Sequence, residues 1–155
     1  MNETDPSPLR VLVVDNSPDM TTSMSCLLQL WGHDVRVAHE GAAALEIARA
    51  YQPHVVMLDS ALETRWDGCE VANQFRALPE LDNVCLICMS GYATEADKRR
   101  YMQAGFDYFL PKGADPQEVE KLLAAEKTPV PGRMLRAPAH AGNGDHRLVL
   151  RNAPA

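Results

Sequence analysis

Val55-Val-Met-Leu58 sets four apolar residues in a row and runs straight into Asp59. An apolar run this short, bounded by polar residues, reads as a strand covered on both faces. Such a strand delivers the acid at its end to the carboxyl edge of a sheet, where open α/β folds keep their sites. The device recurs along the chain. Arg10–Val14 reads as a strand ending at Asp15, and Val84–Met89 as a strand ending at Ser90. Asp34–Ala38 is a shorter strand with Val35 and Val37 on one face, and Tyr108–Leu110 is followed by Pro111-Lys112-Gly113.

Helical patterns separate these runs. Ser17-Pro18 is an N-cap with proline at the first helical position. Met20, Met24, Leu27, Leu28 and Trp31 follow at helical spacing, up to Gly32. Gly41–Tyr51 is an Ala-rich helix with Leu45 and Ala48 inward. Cys69–Leu78 carries Val71, Phe75 and Leu78 on one stripe, and Ala93–Ala104 is closed by Gly105. Asp115 caps a last helix with Pro116 at its start and Val119, Leu122 and Leu123 inward. Five strands alternating with five helices predict a parallel sheet covered on both faces.

Charge and composition narrow the function classes. Residues 1–127 carry 11 Lys+Arg against 20 Asp+Glu, while residues 128–155 carry 4 against 1. An acidic folded part argues against direct nucleic-acid binding. No apolar run is long enough to span a membrane, and the polar, acidic N-terminus is unlike a signal peptide, so a cytoplasmic protein is expected. The expected organisation is a disordered N-terminus over 1–8, one α/β domain over 9–127, and a disordered, basic, Pro/Gly-rich tail over 128–155. Within that tail, Arg147-Leu-Val-Leu-Arg151 is the apolar patch. Cys85-Leu-Ile-Cys88 has C-x-x-C form but lies in a strand, where residues three apart face opposite ways. These read as buried structural thiols. The five histidines show no ligand spacing.

Asp15, Asp59, Ser90 and Lys112 therefore project from one edge of the sheet. Paired acids can hold a hard divalent cation. A hydroxyl and an ammonium can bind phosphoryl oxygens, and a carboxylate can itself become an aspartyl-phosphate. The layout suits phosphoryl transfer onto Asp59. Val11-Leu-Val-Val-Asp15, Val55-Val-Met-Leu-Asp59, Asp67-Gly68, Met89-Ser-Gly91, Ala104-Gly-Phe-Asp-Tyr-Phe-Leu-Pro-Lys112 and Asp115-Pro116 occur in this order. As a set they resemble the receiver domain of two-component response regulators, over about residues 9–127. Ser90 to Lys112 looks most like receivers associated with hybrid sensor kinases.

The resemblance implies a flavodoxin-like, doubly wound five-stranded sheet of order 2-1-3-4-5. It implies Asp59 as phosphoacceptor, Mg²⁺ as cofactor, and Asp15, Asn16, Asp59 and the backbone carbonyl of Ala61 as metal ligands. Ser90 and Lys112 would bind the phosphoryl group, and Phe109 would be the aromatic switch. The donor would be a histidine kinase or histidine phosphotransfer protein. A downstream protein would read the face formed by the fourth helix, fifth strand and fifth helix. Such a domain is not an enzyme; it assists only its own phosphorylation and dephosphorylation. Lys98-Arg99-Arg100 is either a solvated helix face or part of that partner surface.

The departures from the family pattern are specific. Asn16 stands where a second acid is usual, and an uncharged amide weakens a Mg²⁺ site. Leu62-Glu63 replace a Met-Pro pair, and Asp67-Gly68 comes one residue late. Gly113 replaces a cis-proline, which predicts a trans bond or a rearranged loop. These departures motivate an alternative: a degenerate receiver serving as a phosphorylation-independent interaction module. A dehalogenase-like phosphatase is disfavoured, because Ala61 stands where its general acid is needed. A nucleotide enzyme is disfavoured because no phosphate-cradling G-x-x-x-x-G-K-[ST] loop occurs.

Overall fold

The computed structural model describes residues 8–62, 67–91 and 93–127. The tail with its Arg147–Arg151 patch, the N-terminal residues 1–7 and the stretch 63–66 lie outside the described residues. The elements alternate as expected: β1 (Arg10–Val14), α1 (Pro18–Leu30), β2 (Asp34–Ala38), α2 (Gly41–Tyr51), β3 (Val55–Asp59), α3 (Gly68–Ala77), β4 (Cys85–Ser90), α4 (Glu95–Ala104), β5 (Tyr108–Pro111) and α5 (Pro116–Lys127). All strand pairs are parallel, in the order β2-β1-β3-β4-β5. No described helix is long and apolar enough to cross a membrane.

Period-2 alternation divides the core between the two faces of the sheet. Val11, Val13, Val55, Met57, Cys85 and Ile87 pack with Leu28 of α1 and with Val119, Leu122 and Leu123 of α5. Leu12, Val14, Val56, Leu58, Leu86 and Cys88 pack with Ala44 and Ala48 of α2, Val71 and Phe75 of α3, and Tyr101 and Ala104 of α4. Cys85 and Cys88 thus lie on opposite faces, and burial pushes the Cys88 thiol pKa upward, as befits a structural thiol.

Capping chemistry sets the helix starts. Asp67 accepts from the Glu70 N–H at 3.0 Å, so α3 begins at Gly68 and not Cys69. Thr94 and Asp97 form a reciprocal capping box, so α4 begins at Glu95 and not Ala93. Two histidines that carried no sequence signal anchor the amino edge of the sheet. His33 Nδ1 accepts from the Leu9 N–H at 3.2 Å, and His54 Nδ1 from the Arg10 N–H at 2.9 Å.

One buried ion pair ties four segments together. Arg76 Nη2 lies 2.9 Å from Asp107 Oδ2, with the two side chains 7% and 1% exposed. The same guanidinium donates to the carbonyls of Asp82, Val84 and Gly105, and Asp107 also accepts from the Leu86 N–H at 3.0 Å. Gly105 closes α4 with φ +117°, and a Cβ there would sit 2.7 Å from Arg76 Cγ. A buried ion pair contributes net stability only when its other hydrogen-bonding positions are satisfied, and breaking it strands a charge. Arg76→Met is expected to cost about 3–5 kcal/mol. A shift in the urea unfolding midpoint equivalent to less than about 1 kcal/mol would remove this pair from the account of stability.

Candidate functional site at the carboxyl edge of the sheet

Register places the two acids side by side. Val14 pairs with Leu58, so Asp15 and Asp59 stand level at the ends of neighbouring strands, which in a sheet run about 4.8 Å apart. Both are buried, Asp15 at 0% and Asp59 at 2% exposure. The Asp15 N–H continues the ladder to the Ala38 carbonyl at 3.1 Å. Its Oδ1 accepts from the Ser17 N–H at 2.9 Å, at the cap of α1. Asp59 Oδ1 accepts from the Ala61 N–H at 3.0 Å.

Lys112 brings the acids together. Its Nζ lies 3.1 Å from Asp15 Oδ2 and 3.3 Å from Asp59 Oδ1. Burial works against the ammonium, but the Asp15 and Asp59 carboxylates outweigh it and hold the pKa above the ordinary lysine value. The backbone that aims Lys112 comes from β4 and from a turn. The Lys112 N–H donates to the Ser90 carbonyl at 2.7 Å, and the Ala114 N–H closes a turn on Pro111 at 3.0 Å. Gly113 supplies the positive φ of +88° at the third position of that turn. All described peptide bonds are trans, in keeping with the glycine at this position.

Gly68 gives the site its close back wall. A Cβ there would lie 2.5 Å from the Asp59 carbonyl oxygen and 2.7 Å from Ser60 Cα. Only glycine lets the start of α3 press against the end of β3, where its N–H reaches the Ser60 carbonyl at 3.2 Å. This gives the Asp67-Gly68 pair its physical reason: one residue caps the helix and the next admits the strand.

The remaining expected residues sit around this triad without all touching it. Asn16 is half-buried beside Asp15, and Ala61 is exposed two residues past Asp59. Ser90 is 4% exposed, and its Oγ lies 3.4 Å from Tyr101 Oη. Phe109 is half-buried and stacks on the Tyr101 ring, with centroids 6.1 Å apart and planes 13° apart. Tyr101 belongs to no sequence motif of the site. The signal was there: with Thr94 capping α4, positions 101 and 104 fall on its inward face.

Oxygen donors are available for a hard cation. Asp15 Oδ2 is buried and makes no well-aligned hydrogen bond; it meets Lys112 as a charge contact only. Among the described residues no three acids, cysteines or histidines converge. A donor set of two carboxylates plus an amide suits Mg²⁺, which keeps several of its waters, and not a protein cage.

The Lys112 pKa sets the sign of a pH effect. A raised folded-state value means that the stabilisation is complete below about 10.5, the unfolded lysine value, and is lost as pH rises through the higher folded value. In the presence of a chelator, wild type should therefore unfold at higher urea than Lys112→Met near neutrality, with the gap closing on the alkaline side of the unfolded value. A gap that is constant with pH would mean that Lys112 acts through packing alone.

Comparison with known proteins agrees with this architecture. The family model of the response regulator receiver domain matches residues 11–124. An uncharacterized 14.6 kDa protein of Leptolyngbya boryana is 31% identical over 113 residues, covering 73% of this chain and 86% of that one. Response regulator MprA of Mycobacterium ulcerans is 32% identical over 116 residues, 75% of this chain and 47% of that one. The chain thus spans about half the length of the MprA relatives it matches. Among solved structures, the receiver domain of the response regulator NarL from Mycobacterium tuberculosis superposes with TM-score 0.70 at 31% identity, covering 80% of this chain and all of that one. CheY4 of Vibrio cholerae shares the fold, with TM-score 0.72 at 22% identity over 77% of this chain and 99% of that one. The chain belongs to the response regulator receiver family of two-component signal transduction.

Proposed function

We propose that Asp59 accepts a phosphoryl group from the phosphohistidine of a histidine kinase or phosphotransfer protein, and that its modification switches a protein-binding surface. The observation that carries this reading is the placement of Lys112 Nζ at 3.1 and 3.3 Å from two buried carboxylates that end adjacent strands. Ala61 and Lys112 hold Asp59 Oδ1, and Oδ2 is the oxygen proposed to attack. The new bond joins Oδ2 to phosphorus, and the bond that breaks joins phosphorus to the donor imidazole nitrogen, which keeps the electron pair. Lys112 then has phosphoryl oxygens to bind in place of carboxylate, and Ser90 supplies a hydroxyl. Asp15, Asn16, Asp59 and the Ala61 carbonyl would hold Mg²⁺, whose charge offsets that of the equatorial oxygens.

The receiver proper is assigned to residues 9–127, working in the cytoplasm, with no direct contact to nucleic acid or membrane. Its output would pass through the face of α4, β5 and α5 to a protein partner. Receiver domains generally act as signalling modules, not as enzymes on a separate substrate.

Incubation of the full chain with Mg²⁺ and acetyl phosphate should add the mass of one phosphoryl group to wild type and none to Asp59→Asn. Failure of wild type to gain that mass would favour the degenerate receiver, a reading that Asn16 motivates. A second measurement addresses the metal. Asn16→Asp adds a charged oxygen donor, so Mg²⁺ should bind on the order of ten-fold more tightly, read by calorimetry. Unchanged affinity would remove Asn16 from the ligand set.

A further inference from the structure

We propose that Tyr101 is a positioning residue for the phosphorylation switch: it holds Ser90 in its resting orientation and carries Phe109 as its ring partner. This rests on the acceptor reading of Asp59. Tyr101 is 6% exposed, on the inner face of α4, and packs in the same core cluster as Cys88 of β4. Its Oη faces Ser90 Oγ at 3.4 Å, long for a hydroxyl pair and therefore weak. Its ring stacks on Phe109 at 6.1 Å and meets Phe106 edge-on at 6.2 Å and 79°. Both separations lie in the favourable range for aromatic pairs.

The consequence is spatial. Phe109 is half-buried, and Tyr101 occupies the buried position beside it. Because the two rings are stacked, an inward turn of Phe109 would break its present contact with Tyr101. Lys98 Nζ, one turn before Tyr101 on α4, sits 5.2 Å from the centre of the Phe109 ring, a cation–π contact that binds that ring to the same helix. A turn of Ser90 toward a phosphoryl group on Asp59 would draw its Oγ away from the phenol that faces it at 3.4 Å. The move of one hydroxyl is thereby coupled directly to α4, through Tyr101 as well as through Phe109.

The test uses Tyr101→Phe, which deletes the hydroxyl and keeps both ring contacts. Beryllofluoride with Mg²⁺ serves as the phosphoryl mimic, and its binding to the full chain is followed by the ¹⁹F signals of the bound form, with Asp59→Asn as control. Loss of one weak hydrogen bond from the resting state should tighten binding roughly two- to ten-fold. In a Ser90→Ala background the same substitution should change nothing, an outcome that a purely structural tyrosine would not give. Equal affinity of Tyr101→Phe and wild type overturns the assignment of Tyr101 while leaving the acceptor reading intact. Asp59-independent binding, or none by wild type, overturns the acceptor reading and this proposal with it.

Discussion

A single ammonium between two buried carboxylates is the constraint that the architecture is built to satisfy. Asp15 and Asp59 stand level on adjacent strands, each almost wholly out of water. Two like charges so placed repel each other strongly unless a counter-charge stands between them. Lys112 supplies it from a distance. Asp59 pairs with Met89 and Met89 with Leu110, so Lys112 lies two residues beyond the level of the acids and two strands away from β3. At about 3.3 Å per residue, the lysine overhangs the edge and its long stem must lean back across the end of β4. Its N–H bond to the Ser90 carbonyl fixes where that stem begins. The parallel sheet matters because it is what places three strand ends on one edge.

The Arg76–Asp107 pair does the complementary work at the other end of β5. Asp107 immediately precedes the strand and takes the Leu86 N–H of β4 as well as the guanidinium. The start of β5 is thereby locked against β4, and the register that carries Lys112 to its place follows from that lock. The same arginine gathers the end of α3, the loop into β4 and the cap of α4. A slip of one residue would turn every side chain of β5 to the other face, taking Leu110 out of the core. The site at one edge thus depends on a buried charge pair at the other.

The fold was legible because its signals are local and repeated. Five apolar runs of strand length, separated by capped helical patterns, leave few arrangements, and both carboxylates sit at the ends of such runs. Lys112 was legible for the same reason, as the first ionisable residue after β5. What the chain did not disclose were contacts between residues distant in sequence. Arg76 and Asp107 are 31 positions apart, and nothing near either residue marks it as buried. His33 and His54 anchor β1 through ring nitrogens, a role without a spacing signature. The starts of α3 and α4 differ by one or two residues from the hydrophobic pattern because the capping side chains Asp67 and Thr94 decide the boundary. Tyr101 lies at an inward helix position, and only contacts across the fold, its stacking on Phe109 and its nearness to Ser90, set it apart.

Asn16 and Tyr101 bear on the resting site from opposite sides, and their effects point the same way. With an amide at position 16, Asp15, Asp59 and Lys112 leave one net negative charge in the buried cluster. A carboxylate there would leave two and a stronger demand for a cation. The metal-free resting state is therefore less strained electrostatically than it would be with an acid. On the other side, the Tyr101 contact gives Ser90 a partner in the unmodified state. If that contact is lost on modification, as proposed, it would stabilise the unmodified state and oppose the switch by its free energy. On the proposed function, each feature would lower the resting state relative to a metal-loaded, phosphorylated one. On the proposed function, this receiver would sit further toward its inactive conformation than one carrying a second acid and no phenol. A partner that binds the active surface would then supply a larger share of the driving force.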